Sequence, residues 1–361
     1  AEEWDRLVVV VSAMNGGTDA LIQGARTAAA GNETLSEETY RGIVTDLRVR
    51  HYRAVDALLP QDGERTQLLA AIDAYLDEFA AFCHSVYVLG EVTARAMDAI
   101  TSLGERINAR LMVALLRLHG LPSEAVDATN LIITDDKFQN AVPLMEVTRT
   151  RVSEYLGPKL DEGIVPVVTG FIGATEGGIT TTLGRGGSDY SAAILGNCLD
   201  ADEVWTWTDV DGVMTADPRS VPDARVIPSL SYGEVSELAY YGAKVLHPRT
   251  IRPVVERGIP LWVKNTFNPT FAGTKIVRDA ESTPGTVKAV TAIQGLSLVT
   301  VEGRGMIGVP GIAARTFSAV AREGASVLMI SQSSSEQSIC FVIATAVVPA
   351  VIRSIEEELA L

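Results

Sequence analysis

The chain has 361 residues, of which 47% are hydrophobic and 21% charged, with 45 acidic against 30 basic side chains and a formal net charge of −15. That length suggests two or three domains with apolar cores of their own. The acidity argues against nucleic-acid backbones and anionic membranes as main partners, but it leaves small anionic substrates open, because local groups bind those.

In chain order, Leu7 to Val11 is a continuous apolar run, as in a buried parallel strand, followed by the loop Ser12 to Asp19 and a helix over Ala20 to Ala30. Leu35 to Gly120 is almost wholly helical in pattern, interrupted at Pro60-Gln61-Asp62-Gly63. Leu131 to Thr134 reads as a short strand and Arg149 to Asp161 as a helix. Val165 to Phe171, Glu203 to Thr208 and Pro260 to Lys264 read as further strands. Ser231 to Tyr241 and Thr250 to Arg257 read as helices. Strands alternating with helices imply βαβ units and a parallel-rich sheet with helices on both faces. Residues 279–286 read as a linker between a first domain, 1–278, and a second, 287–361. The second reads as β-α-β-β-α, one strand short of a ferredoxin-like unit. Val287 to Ile293, or residues outside this chain, would supply that strand.

Three cysteines, Cys83, Cys198 and Cys340, lie far apart and are expected as buried thiols in a reducing cytoplasm. No signal peptide or membrane-length apolar run is present. The four histidines are scattered, so no protein metal site is expected.

The stretch richest in chemistry is Leu183-Gly184-Arg185-Gly186-Gly187-Ser188-Asp189, between an apolar strand and an apolar helical run. Its glycines let backbone N–H groups approach an anion, the helix start adds donors, and Arg185 offers a planar fork for a carboxylate or phosphate. Thr208-Asp209-Val210-Asp211-Gly212-Val213 lies at a strand end, where ligands collect in open α/β sheets; a turn rich in Asp and Gly is the plainer alternative. Lys244 stands between a helix and a proline stop, as a phosphate cation or a surface lysine. Glu105, beside Gly104 in an apolar helical region, needs a partner. A substrate ammonium and an ion pair with Arg106 or Arg110 are both open. Trp205 and Trp207 alternate on a strand as packing residues.

Taken together, VVVVSAMNGGTD (8–19), SLGER (102–106), GFIG (170–173), LGRGGSDYSA (183–192), TDVDGVMTADPR (208–219), YGAKVLHPRT (241–250) and MISQSSSEQSICFVI (329–343) resemble the aspartate kinases. The long helical insert before Glu105, about 35–120, and the GVPG loop look closest to the bifunctional aspartate kinase–homoserine dehydrogenases. The resemblance implies an amino-acid kinase fold followed by an ACT domain. It implies phosphoryl transfer from Mg-ATP to the β-carboxylate of L-aspartate, the first step towards lysine, threonine and methionine. On that resemblance, Arg185 would clamp the α-carboxylate, Glu105 would take the ammonium, and Thr18 and Ser188 would line the pocket. Asp189 would organise the catalytic centre. Thr208, Asp209, Met214, Arg219, Lys244 and Val245 would hold the nucleotide, with Lys244 near its phosphates. Gly308, Gly311 and Gln332 would contact an amino-acid effector such as threonine or lysine, and ACT pairing would give a homo-oligomer.

The family opens with a strand ending in Lys-Phe-Gly-Gly-Thr, whereas no lysine here precedes Lys137. The expectation is that this segment, with its catalytic lysine, precedes Ala1, that a second ACT domain follows Leu361, and that the chain alone is inactive. Another amino-acid kinase and a non-catalytic amino-acid sensor are the alternatives. SLGER and the ACT module favour aspartate over the first, and retention of Arg185, Asp189, Arg219 and Lys244 weighs against the second.

Overall fold

The computed structural model describes residues 5–31, 35–242, 246, 248–280, 287–303, 306, 308–333 and 337–359. The chain divides into two compact units, Ala1–Val290 and Thr291–Leu361.

In the first unit, β1 (Val9–Val11), β4 (Val165–Thr169) and β2 (Ser123–Val126) form a parallel sheet in the order β1-β4-β2. Every residue of β4 is buried, as a continuous apolar run in a covered parallel strand requires. A second sheet, β3-β5-β6, joins β3 (Ile133–Thr134) parallel to β5 (Ile172–Thr175), which pairs antiparallel with β6 (Thr180–Thr182). The third joins β7 (Val204–Thr208), β9 (Leu261–Asn265), β10 (Thr274–Val277) and β8 (Ser229–Ser231) in the order β7-β9-β10-β8.

The expected strand at Leu131–Thr134 is mostly something else. Asp127 Oδ1 accepts the Thr129 N–H at 3.0 Å and caps a short 3₁₀ turn over Ala128–Asn130, so only Ile133 and Thr134 reach extended pairing. The helical stretch is three helices: α2 (Leu35–Leu58), α3 (Gly63–Leu89) and α4 (Ala94–Leu118). The break at 60–63 is where the sequence places it, with Asp62 capping Arg65 N–H at 2.9 Å. A second break was not expected. Gly90 takes a left-handed φ of 73° and Thr93 accepts the Ala96 N–H at 3.1 Å, which stops one helix and starts the next. These helices pack with α1 (Gly17–Ala29) around Leu21, Tyr40, Ile72, Leu76, Phe79 and Leu103. The rest of α4 packs on β1, β2 and β4, so it ties this helical core to the sheet.

Two more layers matter for the site. Helix α6 (Gly187–Cys198) packs against α5 (Met145–Asp161) and against α8 (Pro248–Arg257). It belongs to two cores at once, through Tyr190, Ile194 and Leu195 to one and Ala193 to the other. Helix α7 (Tyr232–Tyr240) starts with a reciprocal capping box between Ser231 and Glu234.

The second unit has β11 (Leu296–Glu302), β13 (Ser338–Ala344) and β12 (Met329–Gln332) as an antiparallel sheet in the order β11-β13-β12. Helices α9 (Ile312–Arg322) and α10 (Val348–Leu359) bury Ala319, Val320, Val351 and Ile355 against Ile339, Phe341 and Ile343. Val287–Ile293 does not supply a fourth strand. Val290 N–H donates to Thr215 O at 2.8 Å and Ala289 packs on the core around Leu230 and Ile276, so the segment as far as Val290 belongs to the first unit. Among the described residues no helix is long and apolar enough to cross a membrane.

Candidate active site

Two helices begin without a side-chain cap, α1 after the parallel strand β1 and α6 after the antiparallel strand β6. Gly16 before α1 has φ 71° and Gly186 before α6 has φ 69°, both left-handed, and neither helix has a side-chain acceptor for its first-turn N–H groups. An uncapped N-terminus with glycine at its entry is a site for an anion. Thr18 and Ser188 occupy the first turns of these helices and are half-buried, as is Asp189, while Arg185 is exposed in the loop ahead of α6.

The sheet brings these starts together. Gly170 N–H donates to Val11 O at 2.8 Å, joining the ends of β4 and β1. A Cβ on Gly170 would stand 2.8 Å from Ser188 Cβ and Oγ and 2.9 Å from Val11 O, so only glycine lets α6 start this close. Phe171 follows with φ 67°, a strained conformation for an aromatic residue, and its N–H donates to Ser191 Oγ at 3.0 Å. We expect Gly170→Ala to lower unfolding stability by about 1–3 kcal/mol, through overpacking. The urea midpoint measures it.

Glu105 lies in the same region. It is 2% exposed, and Gly104 before it lies against Ala13, where a Cβ would come within 2.7 Å. Glu105 Oε1 accepts the Ala13 N–H at 3.2 Å, while Oε2 is buried with no hydrogen-bond partner. Burial pushes the carboxyl up to about 7, against the Ala13 hydrogen bond that lowers it. The ion pair allowed by the sequence does not form. Arg106 Nε donates to Asp127 at 2.7 Å, and Arg110 donates to Arg106 O at 2.8 Å and lies over the Tyr75 ring. Neighbours in sequence project from different sides of a helix, which is why Arg106 cannot turn back. Asp189 is likewise desolvated, its carboxyl raised to about 6, and no ion pair reaches it among the described residues. Glu105, mid-way along α4 and against the loop ahead of α1, and Asp189, in the first turn of α6, thus both have carboxyls raised by burial.

The other expected residues gather at the end of β7. Thr208 closes that strand, its hydroxyl donating to Asp209 Oδ1 at 3.2 Å, and Asp209 is exposed. Met214 is half-buried and bridges to Val226. Arg219 is exposed and already held by Asp217 in a two-pronged pair, 3.0 and 2.6 Å, so it would meet a phosphate as part of an ion pair. Asp211 accepts from Asn265 and Asn268 at 2.8 and 3.1 Å, which gives it a structural task. Lys244 and Val245 lie outside the described residues. In the second unit Gly308 and Gly311 have φ 68° and 91°, Gly311 caps α9, and Gln332 ends β12, exposed.

The sequence reading missed Lys264. Parallel pairing of β7 and β9 sets Trp205 opposite Trp262 and Trp207 opposite Lys264. The Lys264 ammonium is 4.5 Å from the Trp205 ring centre, 5.7 Å from Trp262 and 5.8 Å from Trp207, and donates to Ala272 O at 3.3 Å. The tryptophans expected as packing residues thus hold a 9% exposed cation, with Trp207 46% exposed. Alternation on one strand shows only half of such a cluster. Arg50, whose Nη1 donates to Asn15 O at 2.8 Å, and Asn108, whose Nδ2 donates to Ser12 O at 2.6 Å, also escaped notice; both hold the loop ahead of α1.

The sequence profile of the amino acid kinase family matches residues 1–265, nearly all of the first unit. The chain belongs to the amino acid kinase family. An ACT domain profile matches residues 299–359. Bifunctional aspartokinase/homoserine dehydrogenase 1 of Arabidopsis thaliana is 36% identical over 348 residues, covering 95% of this chain and 37% of the relative. The chain therefore spans a little over a third of the length of such relatives. Among solved structures, aspartokinase III of E. coli in complex with lysine and aspartate superposes with a TM-score of 0.76 at 31% identity, covering 94% of this chain and 72% of that one. The same enzyme with aspartate and ADP gives 0.71 at 31% identity, with the same coverage.

Proposed function

We propose that this chain forms the kinase part, with one ACT domain, of an aspartate kinase. It would transfer the γ-phosphoryl group of ATP to the β-carboxylate of L-aspartate, giving 4-phospho-L-aspartate. The observation that carries this reading is Glu105, a buried carboxylate whose Oε2 has no hydrogen-bond partner, set against the loop that leads into the uncapped start of α1. An α-amino acid presents what is missing: an ammonium for Glu105 and a carboxylate for Arg185 and the N–H groups of α6. Thr18 and Ser188 line the space between. The aspartokinase III structures, bound to aspartate and to ADP, support both halves of the reading.

The chemistry asked of the protein is positioning and charge neutralisation, because phosphoryl transfer to a carboxylate brings two anions together. Arg185 and the α6 N-terminus orient the acceptor, and Asp189 organises the centre. Thr208, Asp209, Met214 and Arg219 seat the nucleotide, with Lys244 and Val245 from the following segment. Among the described residues no three carboxylate, histidine or cysteine groups converge as a metal cage. Mg²⁺ would be held by the substrate phosphates with one or two carboxylates. When bound it supplies neutralisation of phosphate charge. The ACT domain would sense an amino acid such as threonine or lysine near Gly308, Gly311 and Gln332, and would pair in a homo-oligomer. Three unpaired cysteines support a reducing compartment, the cytoplasm in this reading.

The test is hydroxylamine trapping with the full-length protein, ATP and Mg²⁺. We expect hydroxamate that depends on L-aspartate. Hydroxamate with L-glutamate in preference to L-aspartate, or none with either, would overturn the assignment.

A further inference from the structure

Asp98 lies two turns before Glu105 on α4 and is 0% exposed. No cation reaches its carboxylate among the described residues. Instead, backbone and hydroxyl donors from two distant segments converge on it. Oδ1 accepts the Thr182 hydroxyl at 2.8 Å and Oδ2 accepts the Thr182 N–H at 3.0 Å. The Gln139 N–H is shared between the two oxygens at 3.1 and 2.9 Å.

Both segments support the loop that carries Arg185. Thr182 ends β6, and Leu183-Gly184-Arg185 follows directly. Gln139 is held at a left-handed φ of 67°, and Ala141 N–H donates to Thr182 O at 2.9 Å. A Cβ on Gly184 would stand 3.0 Å from Asn140 Oδ1 and 3.1 Å from Gln139 O, so the loop rests directly on Gln139 and Asn140. From the other side Arg249 of α8 donates to Asn140 Oδ1, and to Ala141 O at 2.8 Å. The Arg185 loop thus sits on a ledge hung from the helix that bears Glu105. An ionised carboxylate suits this point because it only accepts, whereas an amide would turn an NH₂ towards an N–H.

We propose that Asp98 is a positioning residue for the acceptor site, fixing the Arg185 loop relative to Glu105. It thereby sets the spacing at which the ammonium and carboxylate of one α-amino acid are met together. This rests on the functional reading above. Nothing in the family assignment or in the motif around Glu105 gives Asp98 this task.

The test is calorimetric titration of the full-length protein with L-aspartate and, separately, with ADP, for the unsubstituted protein, Asp98→Asn and Thr182→Val. Asp98→Asn keeps the shape and spoils the acceptor pattern. We expect its L-aspartate Kd to rise about tenfold or more, as loss of a charge-assisted buried hydrogen bond implies, with the ADP Kd within about twofold. Thr182→Val removes only the hydroxyl donor and should shift the same Kd by a few-fold. It decides the matter if Asp98→Asn does not fold. A purely structural role would lower the melting temperature and the binding stoichiometry and leave both affinities alone. That outcome, or equal weakening of both ligands, overturns the inference. Failure of the unsubstituted protein to bind L-aspartate, while it binds ADP, overturns the functional reading and the inference with it.

Discussion

Replacing Glu105 by Gln is expected to cut kcat/KM for L-aspartate by about 10²–10³, leaving KM for ATP within about twofold. Removing one partner of a buried charge pair costs about 3–5 kcal/mol, and the lower part of that span, about 3–4 kcal/mol, corresponds to this fall. The fold should respond in the opposite direction. The carboxyl titrates at about 7 in the folded protein against an ordinary value of 4.5, because its charged form is desolvated. Between those values the folded state holds more protons than the unfolded one. The resulting stability is full below 4.5 and is lost as pH rises through 7. Glu105→Gln should remove this slope and be the more stable protein at pH 8, as urea midpoints at pH 5 and 8 would show. Saturating L-aspartate should also flatten the slope in the unsubstituted protein, because its ammonium stabilises the ionised form. For the same reason kcat/KM for L-aspartate should climb with pH until about 7 and then level off. A variant that loses activity and stability together at pH 8 would count against the ammonium role.

Asp189→Asn should strike the other kinetic constant. Asp189 opens α6, half-buried and without an ion pair among the described residues, and its carboxyl is raised to about 6 by burial. If its charge organises the reacting centre rather than holding the acceptor, kcat should fall by about 10² or more while KM for L-aspartate changes little. The unsubstituted enzyme should lose kcat as pH drops below about 6, where the carboxyl takes up its proton, and the variant should lack that limb. Steady-state kinetics between pH 5 and 8 measure both. A tenfold rise in KM with kcat intact would instead move Asp189 into the acceptor pocket.

Much of this site was legible because it is local. The string from Leu183 to Asp189 states its own geometry: glycines where the backbone is left-handed, a helix directly after, and charges beside the bend. Glu105 was legible as a problem, a carboxylate in an apolar helix, but its solution was not. Whether Arg106 could satisfy it depended on Asp127, which a different turn of chain brings alongside. Asp98 was invisible for the same reason. Its donors come from Gln139 and Thr182, and nothing in the sequence around Asp98 points to either. The missed strands β2, β5, β6, β8 and β10 are only three or four residues long, too short for alternation to declare itself. Val287–Ile293 misled through composition: Val287 and Val290 are exposed and unpaired as strand residues, with Ala289 packed against a core, and composition does not separate such a run from a strand.

The ring of tryptophans around Lys264 has a spectroscopic consequence. The chain has four tryptophans and nine tyrosines, and none of them falls between Thr291 and Leu361. Three of the four indoles share one ammonium beside Thr208, where the nucleotide is proposed to sit. Intrinsic tryptophan and tyrosine emission from residues 1–361 is therefore a private signal of the first unit, and melting of the second unit is dark at those wavelengths. If an amino-acid effector binds the ACT unit as proposed, a change in this emission on titration would report an effect that has reached the first unit from the second.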